Sequence, residues 1–104
     1  MVARTGEQYR AGIKDDREVW LGAKRIDVYS DPAMAGSLAG MAGYFDWQLE
    51  HADDCLTADP VSGELMNASL ILPRSKEALA TRHRAFESFA RYSQGMLGRT
   101  PDYV

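Results

Sequence analysis

A chain of 104 residues, 45% hydrophobic and 26% charged, has the composition of one small globular domain and not of a disordered segment. Its 12 basic and 15 acidic residues leave a net charge of -3, which excludes a general electrostatic footprint for nucleic acid or an anionic membrane. A single cysteine excludes an internal disulfide and any multi-cysteine metal centre built from this chain alone, and charges throughout residues 1–20, with no apolar run of about 18 residues, argue against a signal peptide or a membrane span. The expected setting is cytoplasmic.

Taken in order, Thr5 followed by Gln8 is a capping-box pattern, and Tyr9 with Ile13 forms an apolar i, i+4 pair on the helix it starts. That helix is expected to reach about Asp15. Glu18 to Leu21 and Lys24 to Val28 flank Gly22 and Ala23, and glycine at the first central position suits a two-residue type II′ hairpin. Trp20 on this hairpin is expected in core or inter-domain packing, with a ligand-stacking platform as the sharper alternative. Asp31 and Pro32 open a second helix to about Glu50, with Met34, Leu38, Met41, Phe45 and Leu49 at the spacing of one face. Gly36, Gly40 and Gly43 inside it mark places where another helix backbone, or else a ligand, approaches closely. His51 is read as a helix-end or surface histidine.

Residues 52–74 read as loop, a Pro60–Gly63 turn and one extended segment within Leu65–Leu72. Asp53, Asp54 and Asp59 lack the spacing and glycine of a calcium loop and are read as solvated acids, so no metal is assigned. Cys55 is read as a small buried or half-buried residue. Ser75 caps a third helix to about Leu97, with Leu79, His83, Phe86, Ala90 and Leu97 as its apolar stripe and Phe89 beside them. On that stripe His83 is expected as a hydrogen-bonded core histidine, while Arg82, Arg84 and Arg91 form a solvated face. Gly98 and Pro101 then stop the helix. The fold class expected is a mainly helical α+β domain with a small β-hairpin, and no linker to a second domain within the chain.

The ending Gly95, Met96, Leu97, Gly98, Arg99, Thr100, Pro101, Asp102, Tyr103 resembles the signature of the 4-hydroxyphenylacetate 3-hydroxylase oxygenase family of flavin monooxygenases. Other family pieces stand in the same order: Thr5 to Tyr9, Asp16 to Gly22, Asp31 with Pro32, Pro60 to Gly63, and Pro73 to Ser75. The resemblance covers nearly the whole chain. It implies the N-terminal helical domain of an acyl-CoA dehydrogenase-like flavin monooxygenase, whose flavin-enclosing β-barrel and C-terminal helical domains are absent from residues 1–104. The implied activity is hydroxylation of a phenol to a catechol by a flavin hydroperoxide formed from reduced FAD and dioxygen, in aromatic compound catabolism.

The resemblance further implies a separate flavin reductase as partner, a homo-oligomeric full-length enzyme, and flavin contacts mostly outside this chain. Arg99 matches the family arginine at the phenolic oxygen, where a planar, permanently charged fork can hold an oxyanion. Tyr103 matches the family tyrosine near the same oxygen, where its hydroxyl can orient the substrate. Both are assigned as catalytic and substrate-binding. No G-x-G-x-x-G loop occurs, in keeping with a chain that does not hold the cofactor alone and is inactive in isolation. Two alternatives stand beside this reading. The first is a relative of 4-hydroxybutyryl-CoA dehydratase, weakened by the absence of cluster cysteines in Ser93–Tyr103. The second is a non-catalytic helical interaction module, in which Arg99 and Tyr103 merely cap a helix.

Overall fold

Thr5 opens the fold. In the computed structural model, which describes residues 2–96, Thr5 Oγ1 accepts the Gln8 N–H at 3.0 Å and Gln8 Oε1 accepts the Thr5 N–H at 2.9 Å. This is the expected capping box, and α1 (Gly6–Gly12) follows it. The helix stops short of Asp15. That carboxylate instead accepts the Arg17 backbone N–H at 3.0 Å and grips the Arg17 guanidinium through both oxygens, at 2.6 and 2.7 Å, a local alternative to continuing the helix.

A hairpin comes next, β1 (Val19–Leu21) antiparallel to β2 (Lys24–Ile26), with Val19 opposite Ile26 and Leu21 opposite Lys24. Gly22 has φ 63° and Ala23 is not in the positive-φ region, the φ pattern of a type II′ turn. Trp20 is not core. It is 56% exposed, and its indole N–H donates to Glu18 Oε1 at 2.7 Å, because a two-stranded ribbon has no second layer over this face.

Asp31 caps as expected, its Oδ1 accepting the Ala33 N–H at 2.9 Å, but the first turn is a 3₁₀ turn (Pro32–Met34) before α2 (Ala35–Glu50). The buried residues of α2 are Leu38, Ala42, Tyr44 and Gln48, while Leu49 of the expected stripe is partly open. The reason is that α2 is sandwiched and buries two faces. Toward α1, Gly6 N–H donates to Asp46 Oδ1 at 2.7 Å, Tyr9 stacks on Phe45 at 4.9 Å, and the Gln48 amide donates to Arg4 O at 3.0 Å. Toward the other side it meets α3 (Ala52–Cys55) and α4 (Lys76–Ser93).

Residues 52–74 carry more structure than their irregular pattern indicates. Directly after α3, β3 (Leu56–Ala58) pairs antiparallel with β4 (Leu65–Asn67), Leu56 opposite Asn67. Asp59 closes the loop between them, its Oδ1 accepting the Val61 and Ser62 N–H groups at 2.7 and 3.0 Å. The extended run ends at Asn67, whose Oδ1 accepts the Ser69 N–H and hydroxyl at 2.9 and 2.6 Å and turns the chain into a 3₁₀ turn (Ala68–Leu70). Three-residue strands are too short to display a period of two, so the sequence pattern shows only one of them.

Tyr44, Cys55, Ala68, Ala85 and Phe89 form the core cluster, with Phe45, Trp47 and Tyr92 packed around it. The Tyr44 and Phe89 rings stack at 4.3 Å. Ser75 caps α4 as expected, accepting the Ala78 N–H at 3.0 Å, but the face α4 buries is Ala85, Ser88 and Phe89. Leu79, His83 and Ala90 point to solvent. Beside Phe89, the buried positions Ala85 and Ser88 are small because α3 lies close: Cys55 Sγ donates to Ser88 Oγ at 3.3 Å. Arg84 and Arg91 are solvated as expected, but Arg82 is half-buried, its Nε–H donating to Ser69 O at 3.1 Å.

The expected end of this helix near Leu97 is too late. Gly95 N–H donates to Ala90 O at 3.0 Å and Gln94 N–H to Arg91 O at 3.4 Å, the paired bonds of a Schellman motif, with Gln94 left-handed at φ 52°. The helix therefore stops at Ser93, and Gly98 and Pro101 lie outside the described residues.

Candidate functional site

The C-terminal turn of α4 is held against the middle of α2 by one side chain. Tyr92 donates its hydroxyl to Gly40 O at 2.7 Å, and its ring lies so close to Gly43 that an added Cβ there would collide with the phenol oxygen and come within 3.2 Å of Cζ. Tyr92 also meets Trp47 at 5.5 Å, and the Trp47 indole donates to Ser88 Oγ at 2.9 Å. Of the three α2 glycines, only Gly43 is closely approached, and by the Tyr92 side chain in place of the helix backbone or ligand expected; Gly36 and Gly40 face open space. Beside this contact runs an apolar groove of about 450 Å³, lined by Ser37, Gly40, Met41, Tyr92, Ser93 and Met96. The end of α4 thus carries both a helix-to-helix contact and one wall of a groove, through Tyr92 and Ser93.

A second, more polar cleft of about 660 Å³ lies between the end of α1 and β2. Its charged groups are largely committed. Arg17 is forked onto Asp15, Asp27 accepts the Tyr29 N–H at 2.9 Å and the Ser30 hydroxyl at 3.0 Å, and the Lys14 ammonium sits 3.9 Å from the Tyr29 ring centroid.

Residues 5–104 match the family described as 4-hydroxyphenylacetate 3-hydroxylase N terminal. The chain belongs to that family. It is 32% identical over 106 residues to a 4-hydroxyphenylacetate 3-monooxygenase oxygenase component from Geobacillus sp. (strain PA-9), covering 100% of this chain and 22% of that protein. It is 33% identical to the protein of the same name from Pseudomonas aeruginosa, covering 95% of this chain and 20% of the relative. A 4-nitrophenol 4-monooxygenase/4-nitrocatechol 2-monooxygenase oxygenase component from Rhodococcus opacus is 36% identical, covering 94% of this chain and 19% of that protein. The chain spans about a fifth of the length of these curated relatives.

Arg99 and Tyr103, the residues the family resemblance singles out, lie outside the described residues. The other candidates have structural places. His51 ends α2, with its ring stacked on Trp47 at 3.6 Å and Nδ1 at 3.1 Å from Trp47 O, as a helix-end histidine should be. His83 is exposed on α4, contrary to the core role expected of it, because the buried face of α4 is rotated away from it. Cys55 is fully buried, and burial pushes its thiol above the ordinary range, the opposite of activation. The hydrogen bonds to Val61 and Ser62 hold Asp59 below the usual carboxylate range, as befits a loop-closing acid. No group of three or more His, Cys, Asp or Glu side chains among the described residues could hold a metal.

Nor do the described residues make a complete dinucleotide site. The groove beside α4 offers two serine hydroxyls and no cation for a diphosphate. Sequence reasoning missed Tyr92. Its signal was available in part, since Gly43 was marked for a close approach, but nothing local says which side chain approaches.

No helix among the described residues is long and apolar enough to cross a membrane.

Proposed function

We propose that this chain is the N-terminal part of a two-component aromatic monooxygenase that uses reduced FAD from a separate reductase to hydroxylate a 4-hydroxyphenylacetate-like phenol to a catechol. The observation that carries this reading is the family match, which runs unbroken from residue 5 through the Gly98–Tyr103 ending. The monooxygenase names of the relatives support it and favour neither the dehydratase nor the interaction-module alternative. Reduced FAD, when bound, supplies the oxygen-transfer chemistry. It is held mainly by flavin-enclosing β-barrel and C-terminal helical domains, in an acyl-CoA dehydrogenase-like arrangement, encoded by the four-fifths of the relatives' length that this chain does not span. The complete enzyme is a cytoplasmic homo-oligomer.

This chain's own part is binding and orientation. Arg99 holds the phenolic oxygen with a planar, charged fork, so that negative charge developing there is met by a preorganised donor. Tyr103 donates its hydroxyl to the same oxygen and orients the ring. The test is Arg99→Ala in the complete oxygenase. Loss of one such donor typically raises the barrier by about 2.7–4 kcal/mol, so catechol formation should fall by roughly two to three powers of ten while reduced flavin still yields hydrogen peroxide. Arg99→Lys should restore activity only in part. Near-normal coupled turnover in Arg99→Ala, with nothing lost but thermal stability, would overturn the role assigned to Arg99.

A further inference from the structure

We infer that Tyr92 is a positioning residue, the lock that fixes where the segment bearing Arg99 and Tyr103 leaves the helical body. The inference rests on the monooxygenase reading and adds a residue that the resemblance does not assign.

Three observations converge on it. The Tyr92 hydroxyl bonds to a backbone carbonyl of α2, at 2.7 Å from Gly40 O, and not to a movable side chain. Its phenol end occupies the space that any side chain at residue 43 would need, so this contact requires glycine there. The helix then ends one residue later, at Ser93, with the Gln94 and Gly95 bonds fixing the direction of exit. Arg99 follows Gly95 by four residues, so the covalent chain keeps its Cα within about 14 Å of the Gly95 Cα.

A hydroxyl on a backbone carbonyl is suited to this task. An α2 side chain could swing with solvent, whereas Gly40 O moves only if the helix moves. The glycine at 43 allows the ring to approach the helix closely, and Trp47, one turn along the same face of α2, packs against it at 5.5 Å. Because a displacement of about 1 Å from productive geometry can lower a rate on the order of a hundredfold, slack at this anchor is expected to appear in chemistry before it appears in folding.

The experiment compares Tyr92→Phe, Gly43→Ala and Arg99→Ala in the complete oxygenase supplied with reduced FAD, measuring KM for the phenol, kcat, and the division of product between catechol and hydrogen peroxide. Tyr92→Phe keeps the ring and removes only the bond to Gly40. It should shift the melting temperature of the complete oxygenase by no more than about 4 °C, yet lower catechol per flavin oxidised by roughly tenfold with peroxide rising to match. Gly43→Ala, whose Cβ would meet the phenol oxygen and displace the ring, should give the same signature. If Tyr92→Phe remains as coupled as the parent while Arg99→Ala uncouples, the lock is only structural and the inference is overturned with the functional reading intact. If Arg99→Ala itself has no effect on coupling, the functional reading fails and the inference falls with it.

Discussion

At the scale of single residues, the clearest electrostatic device is the Asp15–Arg17 fork. The Arg17 guanidinium and backbone N–H hold the Asp15 carboxyl down at about 2, against an ordinary value of 3.8. A depressed carboxylate contributes stability that is present above its unfolded pKa and lost as pH falls through the folded one, so this contribution disappears between about pH 4 and 2. Both side chains are solvated, so the effect on overall stability is small. Carbon-detected NMR titration should give Asp15 a midpoint near 2, returning toward 3.8 in Arg17→Ala; an unchanged midpoint would show that the fork does not persist in solution. Cys55 and Tyr44 lie at the opposite extreme. Burial raises both, from ordinary values of 9.0 and 10.0. A raised acid stabilises the fold below its unfolded pKa and ceases to do so as pH rises, so urea midpoints should decline once pH passes about 9. Cys55→Ala should remove the earlier part of that decline, and an identical pH profile in the variant would contradict it.

At the scale of elements, the seating of α1 on α2 depends on a residue with no side chain. A Cβ on Gly6 would collide with the Ala42 carbonyl and lie 2.6 Å from Asp46 Oδ2, while the Gly6 N–H already bonds Asp46 Oδ1. Backbone cannot yield as a flexible side chain can. Gly6→Ala should therefore destabilise the chain by about 1–3 kcal/mol, although alanine is the better helix former, and calorimetry that finds the variant more stable would refute this contact. The end of α4 shows the converse. Gln94 occupies a left-handed position that normally favours glycine, tolerated because the bonds to Ala90 and Arg91 satisfy the final carbonyls.

At the scale of the whole molecule, the described chain is long and open, with extents of 49 × 29 × 22 Å. Its radius of gyration of 15.5 Å compares with about 13 Å for a compact domain of similar length. The hairpin makes little contact with the helices, and Leu72 and Leu79 stand 76% and 55% exposed. One cluster around Cys55, Ala68, Ala85 and Phe89 gives the helices a core of their own. Among the described residues, the groove beside α4 presents no cation for a diphosphate. The isolated 104-residue chain should accordingly fold but neither retain FAD through gel filtration nor oxidise phenols when given a reductase. Stoichiometric yellow cofactor on the purified chain would show that the flavin site lies here after all.

The sequence by itself determined what depends on neighbours two to four residues apart. The Thr5–Gln8 box, the Asp31 and Ser75 caps and the Gly22 turn are all local, and each forms where it was expected. Family membership was legible for a related reason, since short motifs in a fixed order survive without knowledge of what they touch. Tertiary structure decided everything that depends on a partner distant in the chain. The buried face of α4 is set by the proximity of α3, which selects Ala85 and Ser88 over Leu79 and His83. The pairing of Leu56–Ala58 with Leu65–Asn67 needs a loop that brings them together, and Asp59 supplies it only once the loop has formed. Gly6 against Asp46 and Tyr92 against Gly40 and Gly43 join positions tens of residues apart, and hydrophobic periodicity carries no record of which helix comes to lie on which.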